Sequence, residues 1–230
     1  MGWLSRFLNS NMGLKAIMAL SGFALVGFVV VHMLGNLQIF LGAEALNNYG
    51  EMLQGNKELL WIARIGLIGA VAAHIYSAVV LTLRAKAARP VGYKVHKRVS
   101  ESYAARTMRV GGFIVLAFIV FHLLHLTTGT VNEEGFRHCE TTINGEFTCY
   151  VYENIMFGFQ DNWPVVIFYV VAQIAVAMHL AHGVWSMFRT LGMNNPRSDA
   201  LARKAAIGIA TVVGFFNCFI PIAVASGLVS

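Results

Sequence analysis

Six histidines stand inside otherwise apolar runs of this chain: His32, His74, His122, His125, His179 and His182. In VVVHMLGNLQIF, residues 29–40, the imidazole of His32 has no water to bond. An ionisable side chain in such a run usually faces the inside of a helical bundle and marks a functional site. A packed ring bonded to a neighbouring carbonyl would explain one such residue. Four successive runs, each with a histidine, make independent packing accidents a poor explanation. Two neutral imidazoles in a low-dielectric bundle suit haem iron, which takes one nitrogen on each face. A bare metal ion is the chemical competitor, because FHLLHL and MHLAHG each put two histidines on one helix face. Such ion sites normally recruit carboxylates. No Asp or Glu lies in the middle of any of the runs, which favours haem.

The elements that must position these rings follow from composition. The chain has 230 residues, is 57% hydrophobic and only 12% charged, whereas soluble domains carry about 25% charged residues. Five runs are long enough to span a bilayer, near 15–41, 59–84, 108–130, 163–188 and 203–229. Backbone groups in lipid are satisfied only in helices or closed barrels, and unalternating runs mean helices. The expected fold is an all-α membrane protein: one domain over 1–230, five transmembrane helices, the first four forming a di-haem bundle. The first run is about twice the length of a signal-peptide core and reads as a retained span.

Loop charge sets the expected orientation. The 84–109 connection holds Arg84, Lys86, Arg89, Lys94, Lys97, Arg98, Arg106 and Arg109 against Glu101. The 189–204 connection adds Arg189, Arg197, Arg203 and Lys204 against Asp199, and the other two connections are acidic. The N-terminus is therefore expected in the cytoplasm and the C-terminus outside. The net charge of +6 is then a topology signal and calls for no nucleic acid. Cys139 and Cys149 flank ETTINGEFT in the outer loop 131–162, where a disulfide is expected. Cys218, in the fifth run, reads as packing.

Depth sorts the rings. His32 and His122 lie roughly 20–25 Å from the cytoplasmic ends of their spans, and His74 and His179 roughly 14–15 Å. An outer pair from spans one and three and an inner pair from spans two and four would lie about 5–10 Å apart. Glycines and alanines such as Gly22, Gly27, Gly66, Gly69, Gly111 and Gly112 leave room for a macrocycle, although they also serve ordinary membrane packing.

KAIMALSGFALVGFVVVHMLGN, HIYSAVVLTLRAK, FIVFHLLHL and MHLAHGVWSMFRTLGMNNP resemble the membrane cytochrome b subunit of type B succinate:quinone oxidoreductases and fumarate reductases. The resemblance runs through the first four spans in order; the loop at 131–162 carries less of it. It implies two haem b groups, one on His32 with His122 and one on His74 with His179, the same pairs as depth gives. It also implies a prokaryotic plasma membrane, a flavoprotein and an iron–sulfur subunit as partners, and membrane lipid around the chain. Electrons would pass to a quinone, usually menaquinone in di-haem members. Loops 84–109 and 189–204 are the expected docking face for the iron–sulfur subunit. His125, His182, Arg189 and Ser21, with Lys15 beside the last, are expected near a haem propionate or quinone, or as supports of the ligands.

Two features depart from the family. Some fumarate reductases carry a glutamate two residues before the fourth-span ligand, where this chain has Ala177. Among Glu44, Glu51 and Glu58, none is marked as a quinone-linked glutamate. The chain has no nucleophile–base constellation, no glycine-rich phosphate loop and no C-x-x-C, so succinate oxidation belongs to the partner flavoprotein. A di-haem quinone cytochrome of another respiratory complex, a metal transporter and a haem-free anchor remain as alternatives. So does a higher oligomer of the whole complex.

Overall fold

A computed structural model describes residues 2–89, 91, 103–193 and 195–229. Lys94, Lys97, Arg98 and Glu101, which entered the charge reading, lie outside the described residues, as does Asn194 of the last motif. A short helix α1 (Trp3–Leu8) precedes α2 (Asn11–Asn36), which tightens into a 3-10 turn over Leu37–Leu41. Then come α3 (Ala43–Gly55), α4 (Lys57–Ala87) and α5 (Tyr103–Leu126). A hairpin of β1 (Glu140–Thr141) and β2 (Phe147–Thr148) leads to α6 (Val151–Phe159), α7 (Trp163–Thr190) and α8 (Pro196–Ala225). Five elements, namely α2 with its 3-10 turn, α4, α5, α7 and α8, are long and apolar enough to cross a membrane. The chain is all-α in class, with the hairpin as a small addition.

Caps, which hydropathy does not register, shift the expected bounds. Ser10 accepts a bond from the Gly13 amide and starts α2 ahead of residue 15. Asn195 accepts from the Ser198 amide, and Pro196 follows it at the first position, a favoured helix start. Hence α8 begins at Pro196 rather than 203, and most of the expected 189–204 connection is helical. It stops at Ala225 rather than 229, where Gly227 turns left-handed at φ +73° and the Leu228 amide bonds back to Ala223. The third span, expected over 108–130, is Tyr103–Leu126. The Thr127 and Thr128 amides both return to the Leu123 carbonyl, and Gly129 at φ +71° reverses the chain.

The long helices are antiparallel. Arg84, near the end of α4, donates to the Asn9 carbonyl and to Asn11 Oδ1 at the start of α2, both at 2.9 Å. Late α5 meets early α7 where His122 and His125 approach Tyr169. Backbone packing forms an arc α4–α2–α7–α5, with α8 laid against α7 and the side of α2. The α7–α8 seam is the most extensive, and it is close: a Cβ on Gly214 would lie 2.9 Å from that of Ala177. Ala206 and Ala210 bury their small faces with Ala19, Val184, Met33 and Leu180, the close approach small residues allow between membrane helices. By contrast α2 and α5, and likewise α4 and α7, have no extensive backbone contact among the described residues.

The end of the bundle away from Asn11 is capped by α3, the hairpin and α6, none of which hydropathy indicated. Asn47 of α3 donates to Glu153 at 3.0 Å and accepts from the Tyr152 amide at 2.9 Å, tying α3 to α6. Asn154 of α6 accepts from the Arg137 amide and donates to its carbonyl, each at 2.8 Å. Tyr150 donates to the Glu140 carboxylate, and that bond holds its phenol above its ordinary pKa. Cys139 and Cys149 are joined as a disulfide, with the Cys149 amide donating to Glu51 at 3.1 Å. Removing a cross-link around so short a loop costs about 2–3 kcal/mol in the chain-entropy view. Serine at both cysteines is therefore expected to open residues 140–148 to proteolysis while the long helices stay resistant. Mapping the cleavage sites by mass spectrometry checks this; an unchanged pattern would mean that hydrogen bonds such as those of Glu51, Glu140 and Asn154 hold the hairpin without the cross-link.

Candidate functional site

Two pairs of imidazoles cross the arc. His74 on α4 and His179 on α7 have ring centres 6.3 Å apart, with planes at 60°. His32 on α2 and His122 on α5 have centres 5.8 Å apart, with planes at 85°. Each pair joins two helices that make no extensive backbone contact among the described residues, so the rings meet between elements that are otherwise apart. Counted from the face where α2 begins, His74 and His179 lie roughly 18 Å deep and His32 and His122 roughly 30 Å. The levels are about 10 Å apart along the bundle.

At the shallower level, His74 Nδ1 donates to the Met18 carbonyl at 3.2 Å. A carbonyl only accepts, so this bond puts the proton on Nδ1 and leaves Nε2 with a free lone pair. Ser21 Oγ donates to the Ile17 carbonyl at 2.7 Å and stands 3.4 Å from the same Nδ1. Small residues flank both rings. A Cβ on Gly22 of α2 would lie 3.4 Å from His74 Cε1, and one on Gly112 of α5 would lie 4.0 Å from His179 Cε1. His179 Nδ1 is buried with no hydrogen-bond partner among the described residues.

At the deeper level, Phe28 stacks on His32 at 5.3 Å and Phe118 lies 5.5 Å from His122. His122 Nδ1 is 3.3 Å from the Tyr169 hydroxyl, which is also 2.8 Å from His125 Nδ1. His125 is fully buried. A Cβ on Gly158 would come within 3.0 Å of its Cε1 and Nε2, so that approach requires glycine.

The spacing suits a shared metal. An imidazole nitrogen binds a first-row ion at about 2 Å, with the ring centre about 1 Å behind, so two rings on opposite sides stand about 6 Å apart. Among the described residues no group of three or more His, Cys, Asp or Glu side chains is placed to hold an ion. Each level brings two imidazoles together across the bundle.

No protein-family model matches the chain, and no curated protein or solved structure is significantly similar to it.

The remaining candidates are distributed unevenly. His125 is a neighbour of His122 through Tyr169, enclosed by Phe121 and Phe159. His182 lies one turn from His179 towards the α2-start face, edge-on to Trp185 at 5.8 Å. Arg189 pairs with Asp199 of α8 at 3.6 Å and its guanidinium lies 5.0 Å from the Trp185 ring centre. The Trp185 indole donates to the same Asp199 at 2.9 Å, and Arg203 covers the ring at 4.5 Å. Arg189 is thus engaged in fastening α7 to α8. Lys15 is exposed. Of the three outer glutamates, Glu51 holds the Cys149 amide, while Glu44 and Glu58 sit in the first turns of α3 and α4, favourable places for a carboxylate. Ala177 faces Gly214 across the α7–α8 seam.

Tyr169 is hardly marked in the sequence. Its only signal is a hydroxyl in WPVVIFYVV, ten residues before His179.

Proposed function

We propose that this chain is the di-haem cytochrome b subunit of a succinate:quinone oxidoreductase, anchoring the complex in a prokaryotic plasma membrane. The observation that carries the reading is the two histidine pairs, each with its rings about 6 Å apart and each joining helices that stay apart. His32 with His122, and His74 with His179, would hold one haem b each. Haem supplies one-electron carriage between partners that cannot meet directly. The chain's own part is to present neutral imidazoles with the right tautomer, keep water out with the apolar helix faces, and set the two levels about 10 Å apart. The Met18 carbonyl fixes the His74 tautomer, the support that metal-binding histidines usually have.

The flavoprotein and iron–sulfur partners, menaquinone as acceptor and the direction of electron flow rest on the sequence resemblance. Orientation rests on charge. Arg84, Lys86, Arg109, Arg189 and Arg203 collect at the face where α2 begins, and Glu44, Glu51, Glu133, Glu134 and Glu153 at the capped end. With five spans, the positive-inside rule puts the N-terminus in the cytoplasm and the C-terminus outside. A bare-ion transporter has less support, since each level brings only two ligands and no carboxylate.

The chain purified from its own membrane with a mild detergent is expected to carry a flavoprotein with covalently bound FAD and an iron–sulfur subunit. Succinate should then reduce the haem absorption. Recovery instead with a molybdenum-containing subunit would assign the chain to another respiratory oxidoreductase.

A further inference from the structure

We propose that Tyr169 is a positioning residue that sets the reduction potential of the haem at His32 and His122, by linking His122 to the buried His125. The inference rests on the haem reading above. Tyr169 Oη lies 3.3 Å from His122 Nδ1 and 2.8 Å from His125 Nδ1. A phenol has one proton to donate and lone pairs to accept. For His122 to offer Nε2 to iron, its Nδ1 carries the proton and donates to Tyr169. The tyrosine proton then goes to His125 Nδ1, and His125 keeps its own proton on Nε2, beside Gly158. Given that requirement on His122, this order satisfies both polar contacts of the hydroxyl, and the His125 Nε2–H stays buried without a partner among the described residues.

The surroundings hold the order in place. His125 is 0% and Tyr169 4% exposed, so water does not substitute for a lost partner. Phe118, Phe121 and Phe159 stand 5.1, 6.1 and 4.7 Å from the Tyr169 ring. In so apolar a box, consecutive hydrogen bonds polarise one another. An axial imidazole whose Nδ1–H is donated becomes a more basic ligand, which favours ferric over ferrous iron. At the other level His74 donates its Nδ1–H to a backbone carbonyl, which no side-chain substitution removes, and His179 Nδ1 has no partner among the described residues. The support of His122 is thus side-chain chemistry that one substitution can change.

Tyr169→Phe keeps the ring and removes the acceptor. In a redox titration of the purified chain it is expected to favour reduction of one haem by roughly tenfold, which is about 59 mV for one electron. The other haem should not move, and repeating the titration with His74→Ala assigns the shifted component. If Tyr169→Phe fails to fold, His125→Phe tests the same link; it keeps the hydroxyl, removes its acceptor, and should move the same component in the same direction. Two bound haems with both potentials changed less than twofold would overturn the proposal, as would a shift confined to the His74–His179 haem. Absence of haem from the unaltered chain would instead overturn the haem reading itself.

Discussion

Alanine at His74 is expected to lower the haem content from two per chain to one. Each proposed site has two protein ligands, contributed by helices that do not otherwise pack together, so losing one ring removes half of the grip. Changes to groups that merely support a metal ligand already cost 10–100-fold in affinity, and loss of a ligand should cost more. The effect should stay at its own level. His32 and His122 are about 10 Å further along the bundle, and α4 is held to α2 independently by the bonds of Arg84 to Asn9 and Asn11. The remaining haem should keep its low-spin, six-coordinate spectrum. His179→Ala should match His74→Ala, and the double variant should be little worse than either, because the two residues act on one ligand and their effects do not add. Unchanged haem content and spectrum in these variants would remove His74 and His179 from the site.

Leucine at Gly22 should produce the same loss from the opposite direction, by filling space. Position 22 sits in the apolar part of α2, and an added Cβ would meet His74 at the ordinary contact distance of 3.4 Å. In a bundle with no cofactor, the added Cβ would make only that ordinary contact and the helix would gain about 1 kcal/mol from losing a mid-helix glycine. With a macrocycle lying against the imidazole, the same side chain competes for its place. Gly22→Leu is thus expected to fold, to melt no lower than the parent once both are stripped of haem, and to retain one haem of two. Gly112→Leu, beside His179, should behave alike. A stable Gly22→Leu protein carrying its full haem complement would mean that no cofactor approaches this side of His74.

The features readable before the structure were those with a strong local signal. Histidines 32, 74, 122 and 179 stand out because an ionisable ring in an apolar run is rare, and helix rise alone places them at two depths. The five spans were found for the same reason. Their ends were not, because Ser10, Asn195 and Gly227 act through single hydrogen bonds or one backbone angle that hydropathy averages away. The elements α3 and α6 were missed for a different cause. They are short and amphipathic, and the bonds that settle them, Asn47 to Glu153 and Asn154 to Arg137, join residues far apart in sequence. Tyr169 belongs to this second class. Nothing near it in the chain announces His122 or His125, and only the packing of α7 on α5 brings the three together. Arg189, read from sequence as a basic residue near a propionate, also meets Asp199 and Trp185, contacts that its position in the chain does not announce.

Haem per chain, determined as the pyridine haemochrome of the purified complex against quantitative amino-acid analysis, bears most directly on the two histidine pairs. Two moles of haem b per mole of chain are expected. A protein isolated intact from its native membrane with no haem, or with zinc or iron bound stoichiometrically in place of it, would contradict the assignment of all four imidazoles.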